Sequence, residues 1–179
     1  MEKENHSRGL LHLYYGDGKG KTTCAMGLAL RAAGRNIPVV IAQFLKSEDS
    51  GERNSLRCLP AVTLLPLPQQ AKFTFQMTTE EQKLSREESA TRLRTAFRLA
   101  GSQGGLLILD EICAALNTGM VDLEELLSLL DSRPEGLEVV LTGRDPDPQL
   151  IDRADYLTEF VKKRHPYDKG IAAREGIEY

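Results

Sequence analysis

At 179 residues the chain is about the size of one domain, long enough to bury a core without a disulfide or metal staple. Its 41% hydrophobic and 27% charged residues are those of an ordinary globular protein, and a formal net charge of −3 argues against a dedicated nucleic-acid binder, which usually carries a basic stripe. No run approaches the roughly 20 apolar residues that span a bilayer, and the charged start MEKENHSRG has no signal-peptide core, so a cytoplasmic protein with no membrane partner is expected.

Residues 1–9 read as a flexible, polar N-terminus, and 10–179 as a single domain. Leu10 to Tyr15 is a short apolar strand. It runs directly into Gly16-Asp17-Gly18-Lys19-Gly20-Lys21-Thr22-Thr23 and then into an alanine- and leucine-rich helix, Cys24 to Ala33, stopped by Gly34. Ile37 to Leu45 is a continuous apolar, β-branched run of the kind found in buried parallel strands. Residues 46–58 read as a polar loop and Ala61 to Leu67 as a weaker strand. From Thr79 to Ala100 the pattern is helical, with Thr79 as cap, Gln82 at the capping-box distance, and Leu93, Ala96, Phe97 and Ala100 on one face. The strand Leu106 to Glu111 follows Gly104-Gly105. A helix over Asp122–Leu130, a strand over Leu137–Gly143, a short helix over Gln149–Asp155 and a strand over Tyr156–Lys163 complete the alternation. That order predicts an α/β fold, a mostly parallel sheet with helices on both faces, and the strand–glycine-loop–helix junction at Gly16–Thr23 gives it the P-loop NTPase (RecA-like) architecture.

The three cysteines, Cys24, Cys58 and Cys113, show no CxxC spacing and read as packing residues in a reducing compartment. The three histidines, His6, His12 and His165, are too scattered to form a metal-ligand set.

The glycine-rich segment carries the strongest signal. Between a strand and a helix, Gly16, Gly18 and Gly20 let the backbone turn its N–H groups inward, building an anion nest at a helix N-terminus. Lys19 and Lys21 supply charge for phosphate oxygens, and the Thr22 hydroxyl is placed to ligate Mg²⁺, with Thr23 beside it. The first glycine is one residue later than the general pattern G-x-x-x-x-G-K-[ST] requires, since position 15 is Tyr15. Asp110, at the carboxyl end of its strand, is expected to hold Mg²⁺, directly or through water, next to Thr22. Glu111 beside it is the water-activating base if the reaction is hydrolysis. The acid pair alone does not separate hydrolysis from transfer.

Six motifs in order, from about Leu10 to the C-terminus, resemble the P-loop-type ATP:cob(I)alamin (corrinoid, or cob(I)yrinic acid a,c-diamide) adenosyltransferase family. The tight loop of the form GNGKGKTT is matched at Gly16–Thr23, with Asp17 in place of Asn. A QFIKG-like strand end and a GERN element are matched by Gln43-Phe44-Leu45-Lys46, with Ser47 replacing the glycine, and by Gly51-Glu52-Arg53-Asn54. A GFTW-like aromatic pair is matched by Phe73 and Phe75, the LDE strand end by Leu109-Asp110-Glu111, and the TGR strand end by Thr142-Gly143-Arg144. The tail KHPFxAGIKAQxGIEY is matched from Arg164 to Tyr179, with Lys169 in place of a small residue. Longer relatives carry a helical extension before the first strand, where this chain has nine residues.

The resemblance implies that a Co(I) corrinoid attacks C5′ of ATP, forming a Co–C bond and expelling triphosphate. It implies ATP held in reverse orientation in the loop, Mg²⁺, a flavoprotein-type reductant and a homodimer. The loop from Gly16 to Thr23, with Glu111 and Arg144, would bind ATP, and Thr22 and Asp110 the metal. Lys21, Phe73 and Phe75 would be catalytic, the two rings displacing the axial ligand of Co(II) before its reduction. Read from the residues alone, Phe73 and Phe75 are either core anchors or ligand-facing rings. Arg53 and Arg144 bind either ligand or ordinary surface acids. Arg164, His165 and Lys169 line either the corrinoid site or the sheet edge. A P-loop ATPase or kinase, or a nucleotide-gated corrinoid carrier, is the competing function.

Overall fold

A computed structural model describes residues 8–47, 50–68 and 76–178 of the chain. Six strands form one sheet: β1 (Leu11–Tyr15), β2 (Val39–Gln43), β3 (Val62–Leu64), β4 (Leu106–Asp110), β5 (Glu138–Gly143) and β6 (Tyr156–Glu159). Their spatial order is β3-β2-β4-β5-β1-β6, and every pairing is parallel. The expected α/β class is thus found, with a sheet that is wholly rather than mostly parallel. β5 lies between the strand feeding the glycine loop and the strand ending in the acid pair, so both approach the loop from one end of the sheet.

The helices are α1 (Lys21–Ala33), α2 (Gly51–Leu56), α3 (Thr79–Gln103), α4 (Ile112–Asn117), α5 (Leu123–Asp131) and α6 (Pro148–Arg153). They cover both faces. One apolar cluster joins α1 and α2 to Val39, Ile41, Leu106, Ile108 and Val140. The other joins α3 to α6 with Val40, Ala42, Leu107, Leu109 and Leu141. Alternate residues of β2 and β4 therefore enter opposite layers, which is why those strands read as unbroken apolar runs and are buried throughout. Leu93, Ala96, Phe97 and Ala100 form the buried stripe of α3, as the helical period predicts.

Several boundaries differ from the sequence reading. The cap of α3 is Thr78, not Thr79. Its hydroxyl accepts from the Glu81 N–H, and the Glu81 carboxylate accepts from the Thr78 N–H, completing a capping box one residue earlier than Thr79 and Gln82 suggest. Two threonines followed by Glu80-Glu81-Gln82 fit either frame. α2 forms inside the expected polar loop because Arg53 and Leu56 turn inward, and α4 begins directly after β4. β3 and β6 are shorter than expected, and β6 is exposed along its length. Gly9, read as part of the flexible terminus, is buried, its N–H bonded to the Glu135 carbonyl at 2.7 Å; residues 1–7 lie outside the described residues. Cys24 and Cys58 are exposed rather than packed, and only Cys113 is buried, where desolvation pushes its thiol up to about 12. Among the described residues no helix is long and apolar enough to cross a membrane, and no group of three His, Cys, Asp or Glu could hold a metal ion.

Candidate active site

The glycine loop bridges β1 and α1, with Gly20 as the N-cap of α1 at φ 114°. Gly16 has φ 111°, and a Cβ there would stand 2.5 Å from the carbonyl oxygen of Phe160. A Cβ on Gly18 would come within 2.7 Å of the same carbonyl. The loop turns tightly because residue 160, just beyond β6, lies against its back, and side chains at those two positions have no room. Phe160 also accepts the Gly18 N–H at 2.6 Å and donates its own N–H to the Tyr15 carbonyl at 2.7 Å. The Gly18 amide therefore faces the tail and does not join an inward anion nest.

Lys21 begins α1 and is only 7% exposed. Its ammonium donates to the carbonyls of Gly16 at 2.7 Å and Gly18 at 3.0 Å, so it spans the loop from inside. Burial pushes its pKa down, against the pull of Glu111. A lysine at that place carries a poorly hydrated charge toward any anion in the loop.

Thr22 and Asp110 meet as expected. The Thr22 hydroxyl donates to Asp110 Oδ1 at 2.9 Å. Asp110 has no exposed surface, and its two oxygens collect further donors: Thr142 Oγ1 at 2.7 Å, Gln43 Nε2 at 3.1 Å and Lys46 Nζ at 2.6 Å. Burial opposes its charge, but the Lys46 ammonium and the bonds from Lys46, Gln43 and Thr142 prevail and hold its carboxyl below the usual range. Behind Gln43 stands Arg53, 1% exposed, donating to Gln43 Oε1 at 2.8 Å and to the Leu65 carbonyl at 2.9 Å. Arg53, a candidate ligand in the sequence, is thus turned into the fold and orients Gln43.

Glu111 caps α4 in a left-handed conformation, φ 61°, with its N–H donated to Thr142 Oγ1 at 2.9 Å. Such a backbone costs a glutamate about 1 kcal/mol or more, and strain of this kind concentrates at functional sites. Burial and the Asp110 charge push its carboxyl up, while Lys46, Lys21 and Arg144 pull the other way. Arg144 is exposed in the loop after β5, its carbonyl fixed by the Asn117 amide at 3.2 Å. Its charge acts on Lys21, Asp17 and Glu111, which puts it beside the loop. Thr23 is exposed one step along α1.

Two charged loop residues turn elsewhere. The Asp17 carboxylate accepts the Lys162 N–H at 2.9 Å, and that bond holds its pKa low. Lys19 donates to Glu178 Oε1 at 2.8 Å and to the Ile177 carbonyl at 3.1 Å. The tail that lines the loop was named by its motif, but Phe160, Lys162 and Glu178 gave no local signal of contact with it. Gln43, Lys46 and Thr142 stood in recognisable motifs, yet nothing in the sequence aimed them at Asp110. Past β6, His165 starts a 3-10 turn, Pro166–Lys169, by accepting the Tyr167 N–H, and that turn is exposed rather than part of the sheet edge. Phe73 and Phe75 lie outside the described residues.

The hydroxyl of Thr22 and the carboxylate of Asp110 are hard oxygen donors 2.9 Å apart, and the Lys46 ammonium lies beside them, 3.1 Å from the first and 2.6 Å from the second. That donor set fits a hard divalent cation such as Mg²⁺.

Residues 7–179 match the family profile described as ATP:corrinoid adenosyltransferase BtuR/CobO/CobP. The corrinoid adenosyltransferase of Pseudomonas aeruginosa is 34% identical over 173 residues, spanning 96% of this chain and 84% of that protein. Corrinoid adenosyltransferase CobA of Salmonella typhimurium is 32% identical over 186 residues, spanning 100% of this chain and 90% of that protein. The corrinoid adenosyltransferase of Escherichia coli K12 is 32% identical over 179 residues, spanning 96% and 86%.

Proposed function

The chain belongs to the ATP:corrinoid adenosyltransferase family, and from that premise we propose that it transfers the 5′-deoxyadenosyl group of ATP to a Co(I) corrinoid during the making or salvage of adenosylcobalamin. The cobalt electron pair attacks C5′, the C5′–O bond breaks, and triphosphate departs with the bonding electrons. The observation that carries this reading is the match of residues 7–179 to the corrinoid adenosyltransferase profile, and the loop lysine, the Thr22 hydroxyl and the buried Asp110 carboxylate at one end of the sheet support its ATP site.

Because the corrinoid brings its own nucleophile, the chain's work is positioning and charge reception. Negative charge grows on the leaving triphosphate, and Lys21 with the loop amides receives it. A divalent cation on Thr22 and Asp110 would neutralise the same oxygens. Arg144 stands at the rim for phosphate or corrinoid amides, and Glu111 has no water to activate. Phe73 and Phe75 belong to the preceding reduction, as an apolar wedge against the axial ligand of Co(II). A flavoprotein-type reductant and a homodimer complete the reading, on family resemblance.

The test is the phosphorus product. With reduced cobalamin and Mg-ATP, ³¹P NMR should show one equivalent of intact triphosphate per Co–C bond. ADP or orthophosphate as the stoichiometric product assigns the loop to phosphoryl transfer instead. Lys21→Ala should lower the rate by about 100-fold or more while the circular dichroism spectrum is kept. Near wild-type turnover in that variant removes the loop from the mechanism.

A further inference from the structure

Lys46 follows β2 by three residues, and its ammonium lies 2.6 Å from Asp110 Oδ2 and 3.1 Å from Thr22 Oγ1. It therefore touches both groups that would bind a divalent ion. A divalent ion that takes the Asp110 Oδ2 lone pair now used by Lys46, with Thr22 Oγ1 as a second ligand, would stand where the ammonium stands, and like charges so close repel strongly away from bulk water. At that position one displaces the other.

The geometry points to Lys46 as a tethered counter-cation that neutralises the Thr22–Asp110 pair in the metal-free protein and is displaced when a divalent ion binds. The Asp110 carboxylate is wholly buried, so without a cation its charge would be uncompensated in the interior. Thr142 and Gln43 also donate to Asp110, but both are neutral and do not offset its charge. The Lys46 side chain is 25% exposed, which gives its ammonium a path outward. Lysine suits exchange better than arginine: a point charge on a flexible stem leaves without breaking a bidentate fork. Once displaced, the ammonium remains next to Thr22 at the loop, where phosphate oxygens are its natural partners. On this account Lys46 makes the nucleotide-free protein a poor metal binder, so that the ion enters together with ATP.

The inference rests on Thr22 and Asp110 being the metal ligands, and the experiment separates the two. Mn²⁺ binding is followed by the EPR signal of the free ion, first without nucleotide. Wild type should bind weakly, and Lys46→Met, of similar length and uncharged, should bind Mn²⁺ tighter by about tenfold or more. The double variant Lys46→Met/Asp110→Asn should lose that gain. Unchanged affinity in Lys46→Met, or wild-type protein that binds Mn²⁺ tightly without nucleotide, overturns the inference. If Lys46→Met does not fold in metal-free buffer, its refolding yield becomes the readout. A yield restored by Mn²⁺ supports the exchange, and failure regardless of Mn²⁺ refutes it. A parallel titration with Mn²⁺ and ATP compares wild type with Asp110→Asn. Equal binding there refutes the ligand assignment itself, whereas a clear loss there with no change in Lys46→Met refutes only the exchange.

Discussion

Asp110 and Glu111 are adjacent in the chain and are pushed in opposite directions by the fold. Asp110 points inward to donors from α1, β2, β5 and the loop after β2. Glu111, turned by its left-handed backbone, is half-buried near the Asp110 charge, and its pKa is raised above the ordinary glutamate value of 4.5. A carboxyl whose folded pKa exceeds its unfolded one contributes stability below the unfolded value and loses it as pH rises through the folded value. Glu111→Gln should therefore melt higher than wild type at pH 7 to 8, and the gap should close as pH falls toward about 4.5. Melts at a series of pH values check this, and a constant gap would trace the effect to packing. The same variant reports on chemistry: loss of a general base costs about 100-fold or more, so a rate within about tenfold of wild type fits a transfer with no attacking water. Lys21 and Thr22 were legible as candidates because they stand in a strand–glycine–helix signature, and the acids because they end an apolar strand. Lys46 and Thr142 were not, because no such local pattern marks them and their bonds to Asp110 cross 64 and 32 residues.

The C-terminal segment is the element whose part in the site was least legible. Its sequence, exposed and polar, suggests a tail; its contacts make it a brace for the glycine loop. The Phe160 backbone fills the space behind Gly16 and Gly18, the Lys162 amide caps Asp17, and Glu178 holds Lys19. Glu178 is itself tied to Arg174, at 3.1 Å, and these bonds together draw its carboxyl down to about 2. Lys19 is thus engaged by a carboxylate at the mouth of the proposed ATP site, where a bound triphosphate would compete for it. Removing the competitor in Glu178→Gln should tighten ATP binding by about two- to fivefold, the scale of an exposed ion pair. Calorimetric titration measures it. Unchanged affinity would mean that Lys19 stays with the tail when ATP binds. α2 and α4 escaped the sequence for a related reason. Each is only six residues long, and each is stabilised by buried partners rather than by its own period.

Across the whole molecule, the alternation of strands and helices was readable because a parallel sheet buried on both faces demands apolar runs, and those are visible in one dimension. The strand order and the link between layers were not. That link is Arg53, which carries α2 to Gln43 on β2 and so to Asp110 on β4. Arg53→Met keeps the apolar stem and removes the guanidinium, leaving Gln43 Oε1 and the Leu65 carbonyl buried without that donor. Each orphaned acceptor costs about 1–3 kcal/mol, so a loss of ~3 kcal/mol is expected. For a chain of this length that corresponds to a Tm lower by about 6–12 °C. If the guanidinium acts on the site by orienting Gln43, its effect depends on Gln43 being present. Gln43→Leu removes the shared partner, so the double variant should lose less stability than the sum of the two singles, by ~1 kcal/mol or more. Urea denaturation of wild type, both singles and the double supplies the four free energies. Additive losses would make Arg53 a support for Leu65 and the segment after β3 alone, with Gln43 oriented by Asp110 from the other side.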